Sequence, residues 1–522
     1  MLFEPILSID LLFLRTVFSA QPIFLIETSL EVDIMQLIEL FKFVFTEAPI
    51  LLIVPPMLLL IQYSAKRSWI NEGRLKPEEQ IHHQNKLPDS KWLSDKPSGV
   101  ILGRTRTDKY VRVPVNRNEI YNGLIVGGAG SGKTSTLLMC TQLANAVSET
   151  PFTSIVVDPK GEQYHTVSSS NNLCLNPTDR KAYGYDPYYA LSANSSISDD
   201  QLIEEFSRIA RALIVEKDPK SSYWVNNARD LLTGLLAAFY GKGMDFIDSI
   251  DAILSMPISE KLADIYNDAD TPRIAKRYLS KFIKETETES LSDVISNMYT
   301  PLSIFANADV QFFLQSNGHK ASPYSVTKDG KSLYLCLPEY MLEQYGAIFR
   351  LIISQCLDEL TKREEWDTPC FVLIDEAYAI GAIDVLKKKL SIARGLGVSI
   401  WLACQSLSQL RELYGKEGAD IIQTNCRIKC FLDCNGDSAD TNYIIKKAGK
   451  YRQSNMSVSK GGNGSTTFSY QEHDIFDEAD LLTLPEQGKE IIVTPSGTYL
   501  IRKNFWFKDN QMLKIQKYLQ KT

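Results

Sequence analysis

A glycine-rich loop between a short apolar run and an amphipathic stretch constrains this chain more than any other feature. Tyr121 to Thr136 reads YNGLIVGGAGSGKTST, and apolar residues follow it at helical spacing from Leu137 to Ala144. The spacing G-x-x-x-x-G-K-[ST] in a strand–loop–helix setting is typical of the phosphate-binding loop of α/β nucleotide-binding proteins. The chain is therefore predicted to build an α/β fold around a nucleotide site.

The residue types of this loop match the parts of a bound ATP. Glycines allow backbone N–H groups to close around the β-phosphate, helped by the positive end of the following helix. Lys133 would reach the β- and γ-phosphates, and the Thr134 hydroxyl would bind Mg²⁺. The predicted ATP-binding residues are Gly127, Gly128, Ala129, Gly130, Ser131, Gly132, Lys133, Thr134 and Ser135.

Two acidic residues end a second short apolar run. Cys370 to Gly381 reads CFVLIDEAYAIG, which predicts a buried strand that ends in Asp375 and Glu376. Asp375 is expected to hold Mg²⁺ through water, and Glu376 is expected to act as general base toward the attacking water. The alternative interpretation is a strand that ends in two solvated acids.

Two further polar residues are placed around the next apolar strand, Val398 to Ala403. Gln405 follows that strand and is expected to sense the γ-phosphate. Arg394 stands 19 residues after Asp375 and 11 before Gln405, and is predicted to be a finger that reaches a neighbouring subunit's nucleotide. The alternative is an arginine that caps carbonyl groups at a helix end.

The first 62 residues differ in kind from the rest. Residues 43–62 form an apolar stretch of about one bilayer span, and residues 6–26 form a second one that includes Asp10 and Arg15. A cluster of basic residues follows the later stretch, and no such cluster lies between the two, which predicts two transmembrane helices with both chain ends inside. The alternative is a buried hydrophobic hairpin of a soluble protein.

Charge is distributed unevenly and helps to divide the chain. The net charge of −7 disfavours a protein that coats nucleic acid along its outside. Residues 195–300 carry 12 basic and 18 acidic groups, and their apolar residues repeat at helical spacing. The predicted units are a membrane region at 1–62, a polar linker at 63–98, a nucleotide-binding domain at 99–194 and 301–522, and an all-helical insertion at 195–300. A glycine-rich mobile loop is predicted at 454–469.

Four segments together make the chain similar to a known family. They are VGGAGSGKT at 126–134, VVDPKGE at 156–162, LIDEAYAIG at 373–381, and the run SIARGLGVSIWLACQSLSQLRELYGKEGADIIQTNC at 391–426. In these segments the sequence resembles the type IV coupling proteins, the membrane ATPases of bacterial conjugation and type IV secretion. The resemblance covers roughly residues 100–510.

The resemblance implies a RecA-like motor of the FtsK/HerA class that forms a homohexamer around a central channel. In that family the position of Asp375 is the Mg²⁺-site acid, that of Arg394 the candidate finger, and that of Gln405 the motif glutamine. Some members recruit cargo through a long C-terminal tail. The sequence up to Thr522 contains no such tail, and we expect the acidic helical insertion to recruit cargo here.

The predicted function is that of an ATP-driven DNA translocase in the bacterial inner membrane, with its ATPase domain in the cytoplasm. It would bind DNA without sequence preference and pass a relaxase–DNA complex from the relaxosome to a type IV secretion channel. One alternative is the same motor serving protein effectors only. Another is a membrane receptor or docking platform that uses nucleotide as a switch and pumps nothing.

Overall fold

The computed structural model describes residues 78–521, apart from 116–118, 168, 194–196, 217–218, 284–288, 316–318, 364–367, 435 and 459–465, and of the first 77 residues it describes only Leu60. Glu78–Thr522 forms one compact unit. Across the described ranges, no helix combines the length and the apolar character needed to cross a bilayer. The predicted spans at 6–26 and 43–62 lie outside the described residues.

The described strands belong to one large sheet and two small ones. They are β1 (Leu93–Ser94), β2 (Val100–Arg104), β3 (Tyr110–Val113), β4 (Gly123–Val126), β5 (Thr153–Asp158), β6 (Asn172–Leu175), β7 (Gly184–Tyr185), β8 (Lys320–Ala321), β9 (Ser332–Cys336), β10 (Cys370–Ile374), β11 (Val398–Cys404), β12 (Ile428–Phe431), β13 (Lys450–Val458), β14 (Thr466–Asp474), β15 (Lys489–Thr494) and β16 (Gly497–Arg502).

Twelve of these strands form the central sheet in the order β1-β3-β2-β16-β15-β12-β4-β11-β10-β5-β9-β6. The seven strands from β12 to β6 are parallel, and the other five extend the sheet in antiparallel pairing. The central strands are nearly continuous apolar runs that are buried throughout, as expected for a parallel sheet covered on both faces. The α/β class predicted from the sequence is confirmed.

The described α-helices are α1 (Glu78–Gln84), α2 (Met139–Ala146), α3 (Glu162–Thr166), α4 (Tyr189–Ser192), α5 (Asp199–Leu213), α6 (Ser222–Gly241), α7 (Phe246–Ser255), α8 (Ile258–Asn267), α9 (Arg273–Ile283), α10 (Glu289–Leu302), α11 (Ala308–Gln315), α12 (Pro323–Thr327), α13 (Leu342–Leu360), α14 (Ala377–Ile380), α15 (Leu386–Ile392), α16 (Leu407–Asn425), α17 (Ser438–Ala448), α18 (Glu478–Leu482) and α19 (Asn510–Leu519).

Helices α5 to α11 follow one another without an intervening strand in the described part of 199–315. We call this stretch the helical segment. Its long helix α6 is buried along most of its length and packs against α5, α9 and α10. The helices continue past residue 300, where the predicted insertion ends, because α11 buries Val310, Phe313 and Leu314 in the same core.

The predicted linker at 63–98 is wrong for its second half. Residues from Glu78 onward belong to the compact unit, where α1 packs beside β13. The side-chain amide of Gln84 donates to the carbonyl oxygen of Ile475 at 2.8 Å, and that of Gln80 to the same oxygen at 3.3 Å. A polar composition looked like a solvated linker, but these amides bond to backbone groups of the folded core.

The predicted loop at 454–469 is also wrong in large part. Strands β13 and β14 pair antiparallel from Lys450 with Asp474 to Val458 with Thr466, so that most of this stretch is a β-hairpin. Glycine and asparagine clusters between two strands are a hairpin signal as well as a loop signal. The glycine-rich centre of the stretch lies outside the described residues.

Candidate active site

The glycine-rich loop lies in the middle of the large sheet, at the carboxyl end of β4. Its neighbours β12 and β11 run parallel to β4, and the backbone N–H of Gly127 donates to the Cys404 carbonyl at 3.1 Å. Gly130 and Gly132 have φ angles of 78° and 97°, which favour glycine. The loop then enters a π-helical turn at Thr134–Leu138 that continues as α2.

The side chain of Lys133 is buried and turned back over this loop. Its Nζ donates to the carbonyl oxygen of Gly127 at 2.8 Å and lies 3.5 Å from Oε1 of Glu376. The ammonium group is thus held between the loop and a carboxylate from a different strand. This brings together Lys133 and Glu376, two residues that the sequence analysis placed at one site.

Asp375 and Thr134 also meet, although 241 positions separate them. The Thr134 hydroxyl donates to Oδ2 of Asp375 at 3.1 Å, and the backbone N–H of Glu376 donates to Oδ1 at 3.1 Å. Burial, with the nearby charge of Glu376, raises the pKa of Asp375 to about 6. The alternative of two solvated acids does not hold for Asp375, which is 4% exposed.

This hydroxyl–carboxylate pair fits Mg²⁺, which prefers hard oxygen ligands and usually binds through one or two carboxylates together with phosphate oxygens. Within the described ranges, no group of three or more His, Cys, Asp or Glu side chains could hold a metal. A Mg²⁺ ion at this edge would therefore need oxygens from the nucleotide as well as those of Thr134 and Asp375.

Glu376 has an unusual backbone. Its φ and ψ are 55° and 50°, and Asp108 is the other non-glycine residue with positive φ in the described part of the chain. Left-handed backbone at a non-glycine residue is costly and is concentrated at functional sites. The conformation aims the side chain of Glu376 at Lys133, and α14 begins directly after it.

The structure places Gln405 and Arg394 at opposite edges of the sheet. Gln405 follows β11 at the same edge as the glycine-rich loop, and its backbone N–H donates to Oε1 of Gln409 at 2.9 Å. Arg394 precedes β11, and its guanidinium lies 5.0 Å from the ring centre of Tyr121, just before β4. The seven residues of β11 span about 20 Å, so Arg394 does not reach the glycine-rich loop of its own chain.

Two residues that the sequence analysis missed hold the glycine-rich loop from one side. Oδ1 of Asp433, just after β12, accepts from the Gly128 N–H at 3.0 Å. Nζ of Lys503, just after β16, donates to the carbonyl oxygen of Ser131 at 2.8 Å. Both come shortly after a strand of the large sheet, a position that many polar residues of this chain share, so no local signal in the sequence singled them out.

The other predicted loop residues differ in exposure. Ser131 is buried, its N–H donating to the Gly128 carbonyl at 3.2 Å, while Ala129 and Gly130 are exposed. The Ser135 hydroxyl donates to the Gly132 carbonyl at 3.3 Å. The loop thus has an exposed tip on a buried base.

A cleft of about 1890 Å³ opens beside this site, between the carboxyl edge of the sheet and the helical segment. Glu376 and Gln405 line it from the sheet, and Thr300 lines it from α10. The general-base candidate is therefore reachable from the side that faces the helical segment.

Comparisons with known proteins show which family this chain is similar to. A family model described as "Type IV secretory system Conjugative DNA transfer" matches residues 69–522. The chain is 20% identical over 471 residues to "Protein VirD4" of Agrobacterium fabrum, with 86% of this chain and 66% of that protein covered. It is 24% identical over 424 residues to "Type IV secretion system-coupling protein VirD4" of Bartonella henselae, with 75% and 63% covered. The chain thus spans less than two thirds of the length of these relatives.

The fold is similar to that of solved coupling proteins. The TM-score is 0.63 to "Bacterial conjugative coupling protein TrwBdeltaN70", at 15% identity and with 80% of this chain and 90% of that chain covered. It is 0.61 to TrwB in complex with the ATP analogue ADPNP, at 14% identity and with 80% and 92% covered. The mixed α/β core is therefore of the RecA-like P-loop type. Because the family model covers most of its length, the chain belongs to the type IV secretory system conjugative DNA-transfer family.

Proposed function

We propose that this chain is a Mg²⁺-dependent ATP hydrolase that drives DNA through a type IV secretion channel. The observation that carries the proposal is the meeting of four side chains at one edge of the sheet. Thr134 bonds to Asp375, and Lys133 lies beside Glu376. A phosphate loop, a metal-site pair and an acid positioned as a base are the parts that phosphoryl transfer to water requires.

In this proposal each side chain has a separate task. Lys133 moves its ammonium group from the Gly127 carbonyl to the β- and γ-phosphate oxygens. Thr134 and Asp375 would hold Mg²⁺, which would supply positive charge to the same phosphates. Glu376 accepts a proton as the water oxygen bonds to the γ-phosphorus, and the bond to the β–γ bridging oxygen breaks to release ADP. Gln405, at the same edge, responds to the γ-phosphate.

The proposed cargo follows from the family and from the names of the relatives. VirD4 of Bartonella henselae is named a type IV secretion system-coupling protein, and TrwB is described as a bacterial conjugative coupling protein. We extend coupling to this chain, with a relaxase–DNA complex as cargo and secretion-channel components as partners. DNA contact would be electrostatic and independent of sequence.

The position of Arg394 supports a ring of subunits, and we take six subunits from the resemblance to coupling proteins. Its distance from the glycine-rich loop of its own chain excludes an intramolecular finger in this arrangement. In a ring, the edge that carries Arg394 on one subunit can face the nucleotide of the next. We further propose that residues 1–62 anchor the ring in the bacterial inner membrane, with the ATPase domain in the cytoplasm.

The test uses the full-length protein in detergent, with ATP turnover measured without DNA and with single- or double-stranded DNA of unrelated sequences. Turnover that rises with DNA of any sequence, and that is lost in Lys133→Ala, supports the proposal. Turnover that only a protein effector raises would favour the effector-only motor. Binding of ATP without any turnover would favour the nucleotide-switched docking platform.

A further inference from the structure

The segment that follows Glu376 is tied to the helical segment. After Glu376 comes the single turn α14, and then Gly381, whose φ of 89° ends the turn. Residues 380–384 next pass beside the last turn of α5 in the helical segment. Two arginines, one from α13 and one from α6, occupy this junction.

Arg350 of α13 bonds to both sides of the junction. Its Nη1 donates to the carbonyl oxygen of Ile380 at 2.7 Å. Its Nε and Nη2 donate at 3.4 Å each to the carbonyl oxygens of Ala212 and Leu213, which end α5. These acceptors are all backbone carbonyls, and the carboxyl end of a helix favours a cation.

Burial lowers the pKa of Arg350 to about 10, a change that the charge of Asp384 partly offsets. The guanidinium therefore remains charged at neutral pH. A cation placed among carbonyl groups of two different elements holds both of them, because moving either one leaves part of its charge without acceptors.

Arg229 of α6 makes a second bridge across the same junction. Its Nε donates to the carbonyl oxygen of Ile214 at 2.8 Å, and its guanidinium pairs with the carboxylate of Asp384. The carbonyls of 212, 213 and 214, three in succession at the end of α5, are thus bound by arginines that also hold 380–384.

Two glycines make room for Arg350. A Cβ on Gly381 would lie 3.0 Å from its Nη1, and one on Gly346 would lie 2.7 Å from the carbonyl oxygen of Ile380. The second distance is too short for real atoms, so α13 approaches α14 closely only because residue 346 is glycine. Arg350 therefore lies in a close-packed contact. We call this contact, formed by 380–384, the end of α5 and the two arginines, the joint.

We infer that Arg350 and Arg229 are positioning residues that transmit the position of the helical segment to Glu376. Only the four residues of α14 separate Glu376 from Gly381, so a shift at Ile380 is carried directly to the proposed base. A partner that moves the helical segment would thereby change the rate of hydrolysis without touching the nucleotide. This inference rests on the proposed function, in which Glu376 is the base.

The test compares Arg350→Met and Arg350→Lys with a matched control in the full-length protein. Arg208→Met is the control, because Arg208 pairs with Glu204 and Glu205 on α5 and lies 4.0 Å from Asp358 of α13, away from 380–384. We expect Arg350→Met to lower kcat about tenfold or more, the scale of a lost charged hydrogen bond. Its Kd for a fluorescent ATP analogue should stay within about twofold, because the glycine-rich loop is not in the joint. Arg350→Lys should recover part of kcat, and Arg208→Met should resemble the wild type.

A comparison in the Glu376→Gln background separates positioning from general damage. If Arg350 acts through Glu376, adding Arg350→Met to Glu376→Gln should not lower the residual kcat further. An equal fold-loss in both backgrounds would overturn the inference, as would a wild-type kcat in Arg350→Met.

Asp384→Asn weakens the joint at a half-buried carboxylate and covers the case in which Arg350→Met does not fold. It should lower kcat with Kd unchanged, and a wild-type kcat in this variant would count against the joint. If the wild type hydrolyses no ATP, the proposed function fails but the joint can still be tested. Hydrogen exchange of 377–384 should then be faster in Arg350→Met than in Arg208→Met, and equal rates would overturn the joint itself.

Discussion

Lys503 lies far along the chain from the glycine-rich loop but contacts it in the fold, and a substitution at Lys503 tests whether that contact supports ATP binding. Its Nζ donates to the Ser131 carbonyl at 2.8 Å, which holds the buried base of the loop from the side of β16. Lys503→Met keeps the length of the side chain and removes the donor and the charge. A lost hydrogen bond from a charged donor at a partly exposed site costs about 1–2 kcal/mol.

This free energy converts to a rise of about 5- to 30-fold in the Kd for ATP, if the bond contributes fully to ordering the loop. The kcat at saturating ATP should change little, because Lys503 is bonded to the loop rather than to Asp375 or Glu376. Titration with a fluorescent ATP analogue measures the Kd, and steady-state turnover measures kcat.

The control is Lys508→Met, since Lys508 is exposed on the same C-terminal segment, where its ammonium lies 5.1 Å from the Phe505 ring centre. It should bind the analogue as the wild type does. A Kd within twofold of the wild type in Lys503→Met would refute the reasoning that β16 holds the loop. Equal losses in both variants would assign the effect to general charge rather than to the Ser131 bond.

Three other predictions follow. Gly123→Ala should lower the free energy of unfolding by about 1–3 kcal/mol in a denaturant titration, because its Cβ would lie 2.4 Å from the Trp401 ring. Gly395→Ala is the control and should not lower it, because a Cβ there meets nothing within 4 Å. Equal free energies in the two variants would contradict the packing of β4 against β11. Burial raises the pKa of Asp440 to about 7, so the folded state holds a proton that the unfolded state releases above about pH 4. The free energy of unfolding should therefore fall as the pH rises from about 4 to 7. The variant Asp440→Asn should lose this dependence on pH. Arg394→Ala should lose about 10³-fold in turnover while still binding ATP, and mixing it with Lys133→Ala should restore part of the activity; full turnover by a dilute monomer would exclude the finger.

Local sequence was enough to predict which strand ends carry the candidate site. The glycine-rich loop and the Asp375–Glu376 pair each follow an apolar strand, and the carboxyl ends of parallel strands meet at one edge of a sheet. Lys133 and Glu376 could therefore be assigned to one site before the strand order was known. The position of β11 between β4 and β10 could not be predicted, because no local sequence signal indicates which strands are neighbours in the sheet.

The partners that hold this site could not be predicted for the same reason. Asp433 and Lys503 contact the loop from 305 and 372 positions away, and each is an ordinary polar residue after a strand. The polar stretch from Glu78 onward has the composition of a solvated linker but belongs to the folded core. Its glutamines are residues that a linker also contains, and only the folded chain shows that they bond to the carbonyl oxygen of Ile475.

The most direct test of the central claim separates nucleotide binding from hydrolysis at Glu376. In Glu376→Gln the Kd for a fluorescent ATP analogue should stay near the wild-type value, while kcat should fall about 10²- to 10⁴-fold, the usual contribution of a general base. Glu343→Gln is the matched control, because Glu343 is an exposed acid that lines the same cleft, and it should turn over ATP normally. Wild-type turnover by Glu376→Gln would contradict the account, since the acid beside Lys133 would then not be the base.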